Sequence, residues 1–193
     1  DSYNVAVGFA AGNAVTTGIQ NTFIGGLSGD AITDADYNVA VGMGSLGANT
    51  VGSRSTAVGT NSLFEQNPAT AADMYNVAVG YHAGFKVSTG TFNTLIGGLA
   101  GDALTDADFN VALGSNALTL DTLGSKSTAL GHAALTTQNF TTATDTYNTA
   151  VGWAAGGAVT TGIQNTLIGA QAGDALTDAD RNVAVGLEAL SAD

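Results

Sequence analysis

Three stretches of this sequence gather oxygen-bearing side chains at spacings that suit a hard cation. They run from Gly29-Asp30 to Asn38, from Gly101-Asp102 to Asn110, and from Gly173-Asp174 to Asn182. Within them Asp34, Asp36 and Asn38 stand at alternate positions, as do Asp106, Asp108 and Asn110, and again Asp178, Asp180 and Asn182. Calcium is bound by several carboxylate and carbonyl oxygens, and this pattern echoes the first half of a calcium-binding loop. The glycine and glutamate that complete such a loop are Val39 and Ser45 here. Asp and Asn are equally at home in plain turns. The segments therefore read either as calcium sites or as turns whose acids pair with Arg54, Lys126 or Arg181 of a neighbouring chain.

Other chemistry is weaker. His82 and His132 have no matched partners, and no nearby Ser or Asp completes a nucleophile–base set, so no enzyme is expected. A Thr column (Thr16, Thr33, Thr50, Thr105, Thr122, Thr160, Thr177) suggests an ice-binding surface, but Asn67, Ser88 and Asn139 interrupt it. A β-propensity ladder accounts for it as well. Tyr37, Tyr75, Phe92, Phe109 and Tyr147 each stand just before an Asn. They read as hydrophobic corner pieces more readily than as sugar-stacking groups, for which Tyr81 and Trp153 are better placed on the surface.

What must position these residues is a repeat. The pattern Asn/Ser–Val/Thr–apolar–Val/Ile/Leu–Gly begins at Asn4, Asn21, Asn38, Ser55, Asn76, Asn93, Asn110, Ser127, Asn148, Asn165 and Asn182. Its steps are 17 residues, except for two of 21, and four steps form a 72-residue unit covering 4–75, 76–147 and part of a third, 148–193. A fixed short period marks a solenoid, in which each unit buries its apolar side against the next. Both ends stop mid-pattern, so a segment of a longer chain is expected. At about 4.8 Å per rung, eleven rungs make a rod on the order of 50 Å long.

In columns, Val5 and Val7 and their equivalents are expected to face the rung's own core. Ala6, Phe23, Ala40 and their equivalents then face outward, where self-association would cover them. Gly8 and its equivalents end the strand in every rung. A second strand is expected near Ala14-Val15-Thr16, Ala31-Ile32-Thr33 and Ala103-Leu104-Thr105. The Asn column reads as stacked amides that satisfy turn backbone, rather than as a ligand row. The 21-residue steps lengthen the loops at 64–75 and 136–147, and such insertions often mark a binding face.

Composition narrows the partners. With 16 acidic and 4 basic residues the net charge is −12, which disfavours nucleic acid and anionic membranes. There are no cysteines for disulfides or thiolate metal sites. No apolar run is long enough to span a membrane.

The residues Ser55-Thr56-Ala57-Val58-Gly59-Thr60-Asn61-Ser62 and Asn148-Thr149-Ala150-Val151-Gly152 resemble the head repeats of YadA-like trimeric autotransporter adhesins and related bacteriophage tail fibres. The resemblance extends over all eleven rungs. It implies an all-β fold, a left-handed parallel β-roll (β-solenoid), and a homotrimer with the Ala-Val strand toward the three-fold axis. It also implies an extracellular, cell-surface or virion location and loops that meet a receptor or glycan. The alternative is a purely structural shaft or filament subunit.

Overall fold

A computed structural model describes residues 2–191. Among these there is no helix. In chain order the strands are β1 Val5–Val7, β2 Thr22–Ile24, β3 Val39–Val41, β4 Gly52–Ser53, β5 Thr56–Val58, β6 Ala72–Asp73, β7 Val77–Val79, β8 Thr94–Ile96, β9 Val111–Leu113, β10 Gly124–Ser125, β11 Thr128–Leu130, β12 Thr144–Asp145, β13 Thr149–Val151, β14 Thr166–Ile168 and β15 Val183–Val185. The three-residue strands form one parallel sheet in the order β1-β2-β3-β5-β7-β8-β9-β11-β13-β14-β15. The fold is thus a parallel β-solenoid of eleven turns. The two remaining pairs, β4 with β6 and β10 with β12, are short parallel ladders beside the longer rungs.

Register follows the sequence repeat. Val5 pairs with Thr22 across a 17-residue step, and Thr56 pairs with Val77 across a 21-residue one. The four extra residues are absorbed in the loop, and the sheet does not slip. The glycine ending each strand is required by close approach. Gly80 has φ +142°, and a Cβ on it would lie 2.5 Å from the carbonyl oxygen of Gly97 in the next rung.

The expected second strand is absent. Amides along that stretch alternate in their use: Gly12 donates to Ser28 O and Ala14 to Asp30 O in the next rung, whereas Asn13 donates to Ala10 O and Val15 to Gly12 O within its own. Half the amides are therefore spent on tight turns. Left-handed residues such as Ala10 (φ 53°) and Gly12 (φ 59°) wind the chain out of extended conformation.

The strand's two faces are also the reverse of the sequence expectation. Phe23, Ala40, Ala57, Ala78, Leu95, Ala112, Ala129, Ala150 and Leu167 are the buried residues, and they line the solenoid core. Val7, Ile24, Leu113, Leu130, Ile168 and Val185 are exposed. The Ala column therefore cannot be the surface that a partner chain covers. The reason is volume. A turn this short encloses a narrow interior, and branched side chains on every strand would overfill it.

Core volume is shared between two columns, which explains the 72-residue period. Where the strand centre is large, at Phe23, Leu95 and Leu167, the position six residues on is Gly29, Gly101 or Gly173. A Cβ on Gly101 would meet Leu95 Cδ2 at 2.8 Å, and one on Gly84 in the preceding rung would meet Leu95 Cδ1 at 2.7 Å. Where the strand centre is Ala40, Ala57, Ala112 or Ala129, the same column supplies Leu46, Leu63, Leu118 or Leu135, all fully buried.

This compensation is testable by chemical denaturation. Leu95→Ala is expected to cost about 2–5 kcal/mol through the cavity it leaves. Gly101→Leu alone is expected to cost about 1–3 kcal/mol by overpacking. The double variant recreates the Ala112/Leu118 arrangement one rung early, so it should lose less than the sum of the two single variants.

Candidate functional site

The acidic turns lie on the outer surface, yet their presumed ligand triads do not converge. Asp34 Oδ1 accepts from Thr17 Oγ1 and Asp36 Oδ1 from the backbone N–H of Ile19, both in the preceding rung. Asn38 is buried: its Nδ2 donates to Gly52 O at 3.0 Å and its Oδ1 accepts from the Ser55 N–H at 2.9 Å. The left-handed residue Tyr37 (φ 59°) turns the chain between the two Asp residues and the Asn, so the alternate spacing does not leave all three on one side. The second copy repeats this. Asp106 accepts from Thr89 Oγ1, Asp108 accepts from the Thr91 N–H and hydroxyl, and Asn110 is buried with its Nδ2 on Gly124 O. In the third copy Asp180 accepts from the Ile163 N–H, Asp178 from the Thr177 hydroxyl, and Asn182 donates to Asp180 O. Among the described residues, no three His, Cys, Asp or Glu side chains stand together in a metal-holding arrangement. What the first copy does form is a shallow cleft of about 440 Å³, lined by Asp34, Asp36, Ser53, Ala71, Ala72 and Asp73.

Beside that cleft the cations are held within their own chain. Arg54 Nε lies 2.9 Å from Asp73 Oδ1, with its guanidinium 4.8 Å from the centre of the Tyr37 ring and 5.8 Å from that of Tyr75. Lys126 repeats the arrangement with Asp145 and Tyr147. Its hydrogen bond holds the Asp145 carboxyl below its ordinary pKa. The flanking aromatics are exposed, not buried corners. Tyr75, Phe92 and Phe109 stack face to face from rung to rung, with centroids 5.2 and 5.0 Å apart. Their faces cover one another, so they present edges rather than platforms.

The Asn column is internal scaffolding. Asn93 Oδ1 accepts the Asn110 backbone N–H, and Asn93 Nδ2 donates to Ala107 O at 2.7 Å. Asn21, Asn76, Asn148 and Asn165 do the same for their neighbours. The Thr hydroxyls are likewise committed: Thr16, Thr33, Thr105 and Thr160 donate to the carbonyls of Thr33, Thr50, Thr122 and Thr177. They do not form a free row facing solvent.

Column reading missed the buried polar groups under the long rungs. Gln66 and Gln138 are fully buried. Gln66 Oε1 accepts from Ser55 Oγ and Asn76 Nδ2, and Gln138 reaches Ser127, Asn148 and the buried Asp121. Each glutamine spans the gap left where Ser replaces Asn. Their signal in the sequence was a pair of polar residues, Asn49 with Gln66 and Asp121 with Gln138, recurring 72 positions apart in a column otherwise filled by Val, Ile and Leu. The tips beyond them, 69–71 and 141–143, are exposed.

Comparison with protein-family models, curated proteins and solved structures gives no match.

Two outcomes are expected. Removing divalent cations with EDTA should leave Tm unchanged, because the Asn members of each triad are already spent on backbone. A rise in Tm of several degrees on adding calcium would assign the cleft to it. The second concerns Asp102, whose Oδ1 is enclosed without a hydrogen-bond partner. Burial pushes its pKa above the ordinary 3.8, against a smaller pull from its own backbone and from Lys86 and His82. A raised carboxyl pKa adds stability below the unfolded value, and that stability is lost as pH rises through the folded one. Asp102→Asn should therefore melt higher than the parent at pH 7, with the advantage gone below about pH 4.

Proposed function

We propose that this chain is a segment of an extracellular adhesin or bacteriophage tail fibre, a rigid homotrimeric rod that displays surface loops for attachment and performs no catalysis. The observation that carries this reading is the outer face of the main sheet. From β1 to β15 its two outward columns hold only Val, Thr, Ile and Leu, without one charge, in a chain of net charge −12. Contiguous apolar surface of this extent marks an interaction site. Eleven rungs at about 4.8 Å, and about 10 Å for each three-residue strand, give on the order of 530 Å² per chain. Two such faces together reach about the 1,000 Å² that a specific interface must clear. The resemblance to YadA-like head repeats supplies the stoichiometry of three and the left-handed sense. The interface here is the Val face, with the Ala column inside each rod.

Attachment is assigned to the loops at 64–75 and 136–147, which depart from the repeat and stand four rungs apart. The runner-up, a shaft that recognises nothing, shares the assembly but not the binding.

Light scattering is expected to give three times the 19.0 kDa chain mass. Val79→Lys with Leu113→Lys, both outward, should yield a monomer with unchanged far-UV circular dichroism. A monodisperse wild-type monomer would overturn the trimer. Replacing 64–75 and 136–147 with the shorter turn of a 17-residue rung should abolish binding to target cells. Retained binding would favour the shaft.

A further inference from the structure

The column directly after each strand-ending glycine carries a feature that neither the core nor the apolar face requires. It reads Phe9, Gly26, Met43 at the start of the first 72-residue unit, Tyr81, Gly98, Ser115 in the second, and Trp153, Ala170, Leu187 in the third. An aromatic ring is thus followed one rung later by a side chain of almost no size. The rings are exposed: Phe9 83%, Tyr81 58% and Trp153 55%. The space above Phe9 and Tyr81 is open. A Cβ on Gly98 would meet no atom within 4 Å, and one on Gly26 would meet only Phe9 O at 3.9 Å.

We propose that Phe9, Tyr81 and Trp153 each wall a one-rung slot that takes a single sugar ring of an extended neutral glycan. This rests on the attachment reading and names its ligand class. Side chains two rungs apart are separated by about 9.6 Å. A ring seated one rung above the aromatic lies about 4.8 Å from it, which is stacking distance, and Met43, Ser115 or Leu187 stands on the far side. The Tyr75–Phe92–Phe109 stack shows the contrast: there every rung is occupied, centroids lie 5.0–5.2 Å apart, and nothing can enter.

The chemistry around the slots suits a sugar. One face of Tyr81 is stacked on His82, with centroids 4.0 Å apart, as the last of four rings running through Phe85 to Phe64. The His82 ring is itself held 3.2 Å from Asn61 Nδ2. Trp153 lies parallel to His132. An aromatic face with imidazole and amide groups beside it can hold the C–H face of a pyranose while meeting its hydroxyls. An acidic glycan is disfavoured by the net charge of −12, and two of the four cations, Arg54 and Lys126, are already paired. The slots recur every four rungs, about 19 Å. An extended chain that engages two of them gains affinity beyond either alone.

The test is depletion of the protein from solution by insoluble cellulose, chitin and mannan, with polygalacturonate as the acidic comparison. Retention is expected on at least one neutral polymer and not on polygalacturonate. Tyr81→Ala with Trp153→Ala should weaken it at least about tenfold. Gly98→Leu, which fills the slot while leaving Tyr81 in place, should weaken it in the same direction with Tm unchanged. The proposal is overturned if no neutral polymer retains the protein, or if these variants bind like the parent. It is also overturned if they change the mass in solution, because the rings would then belong to the subunit interface. Cell attachment that survives Gly98→Leu but not loop replacement would remove the slot and leave the attachment reading standing.

Discussion

The structure depends on one buried carboxamide per turn. A side-chain oxygen on one rung accepts the backbone N–H of the next, and the amide nitrogen of the same side chain closes its own turn on a carbonyl 14 residues ahead, as in Asn93 to Ala107. Both ends are buried, so each group left unpaired would cost on the order of 1–3 kcal/mol. Asn is the shortest side chain that carries its acceptor and its donor on two separate atoms, so it can reach both partners at once. That constraint fixes register. A slip of one residue would break the ladder and also exchange the Ala and Val faces.

The long rungs show how the constraint bends. Ser55 and Ser127 cannot span both partners, and the rungs they open are the ones that carry four extra residues. Gln66 and Gln138 enter the core from those loops and restore the polar link to Asn76 and Asn148. The two solutions are not identical. Gln138 Nε2 finds Asp121, whereas Asn49 at the matching position turns its own Nδ2 to Gly52 O, and Gln66 Nε2 is left without a partner. Four-rung periodicity in the loops, in the buried polar groups and in the core pairs such as Leu95 with Gly101 is therefore one periodicity. Changing any of the three would disturb the others.

Much of this was legible in columns. The rung count, the register across the 17- and 21-residue steps, the strand-ending glycine and the structural role of Asn all follow from recurrence. The orientation of the strand did not. A period of two says that Ala6 and Val7 face opposite ways, but it does not say which way is in. Both columns are apolar, so the decision rests on how much volume the interior holds. That in turn depends on turns whose left-handed residues, such as Leu46 and Tyr37, have no signature in residue type. The acidic segments show the same limit: Asp34, Asp36 and Asn38 alternate in sequence, and a left-handed Tyr37 between the last two turns Asn38 into the core.

Reversing the strand changes what the surface is for. Small residues outward would have allowed close backbone packing between chains. Larger, mostly β-branched residues outward instead give an uncharged ribbon bounded on one side by the Tyr75–Phe92–Phe109 stack and the paired Arg54 and Lys126. Carboxylates are kept to the turns, away from the ribbon. The ribbon has the extent and neutrality of a surface that other chains cover. The Phe9, Tyr81 and Trp153 column has gaps that a continuous interface would have filled. One solenoid thus carries two apolar surfaces of different texture, and the gaps are the physical reason to assign them to different partners.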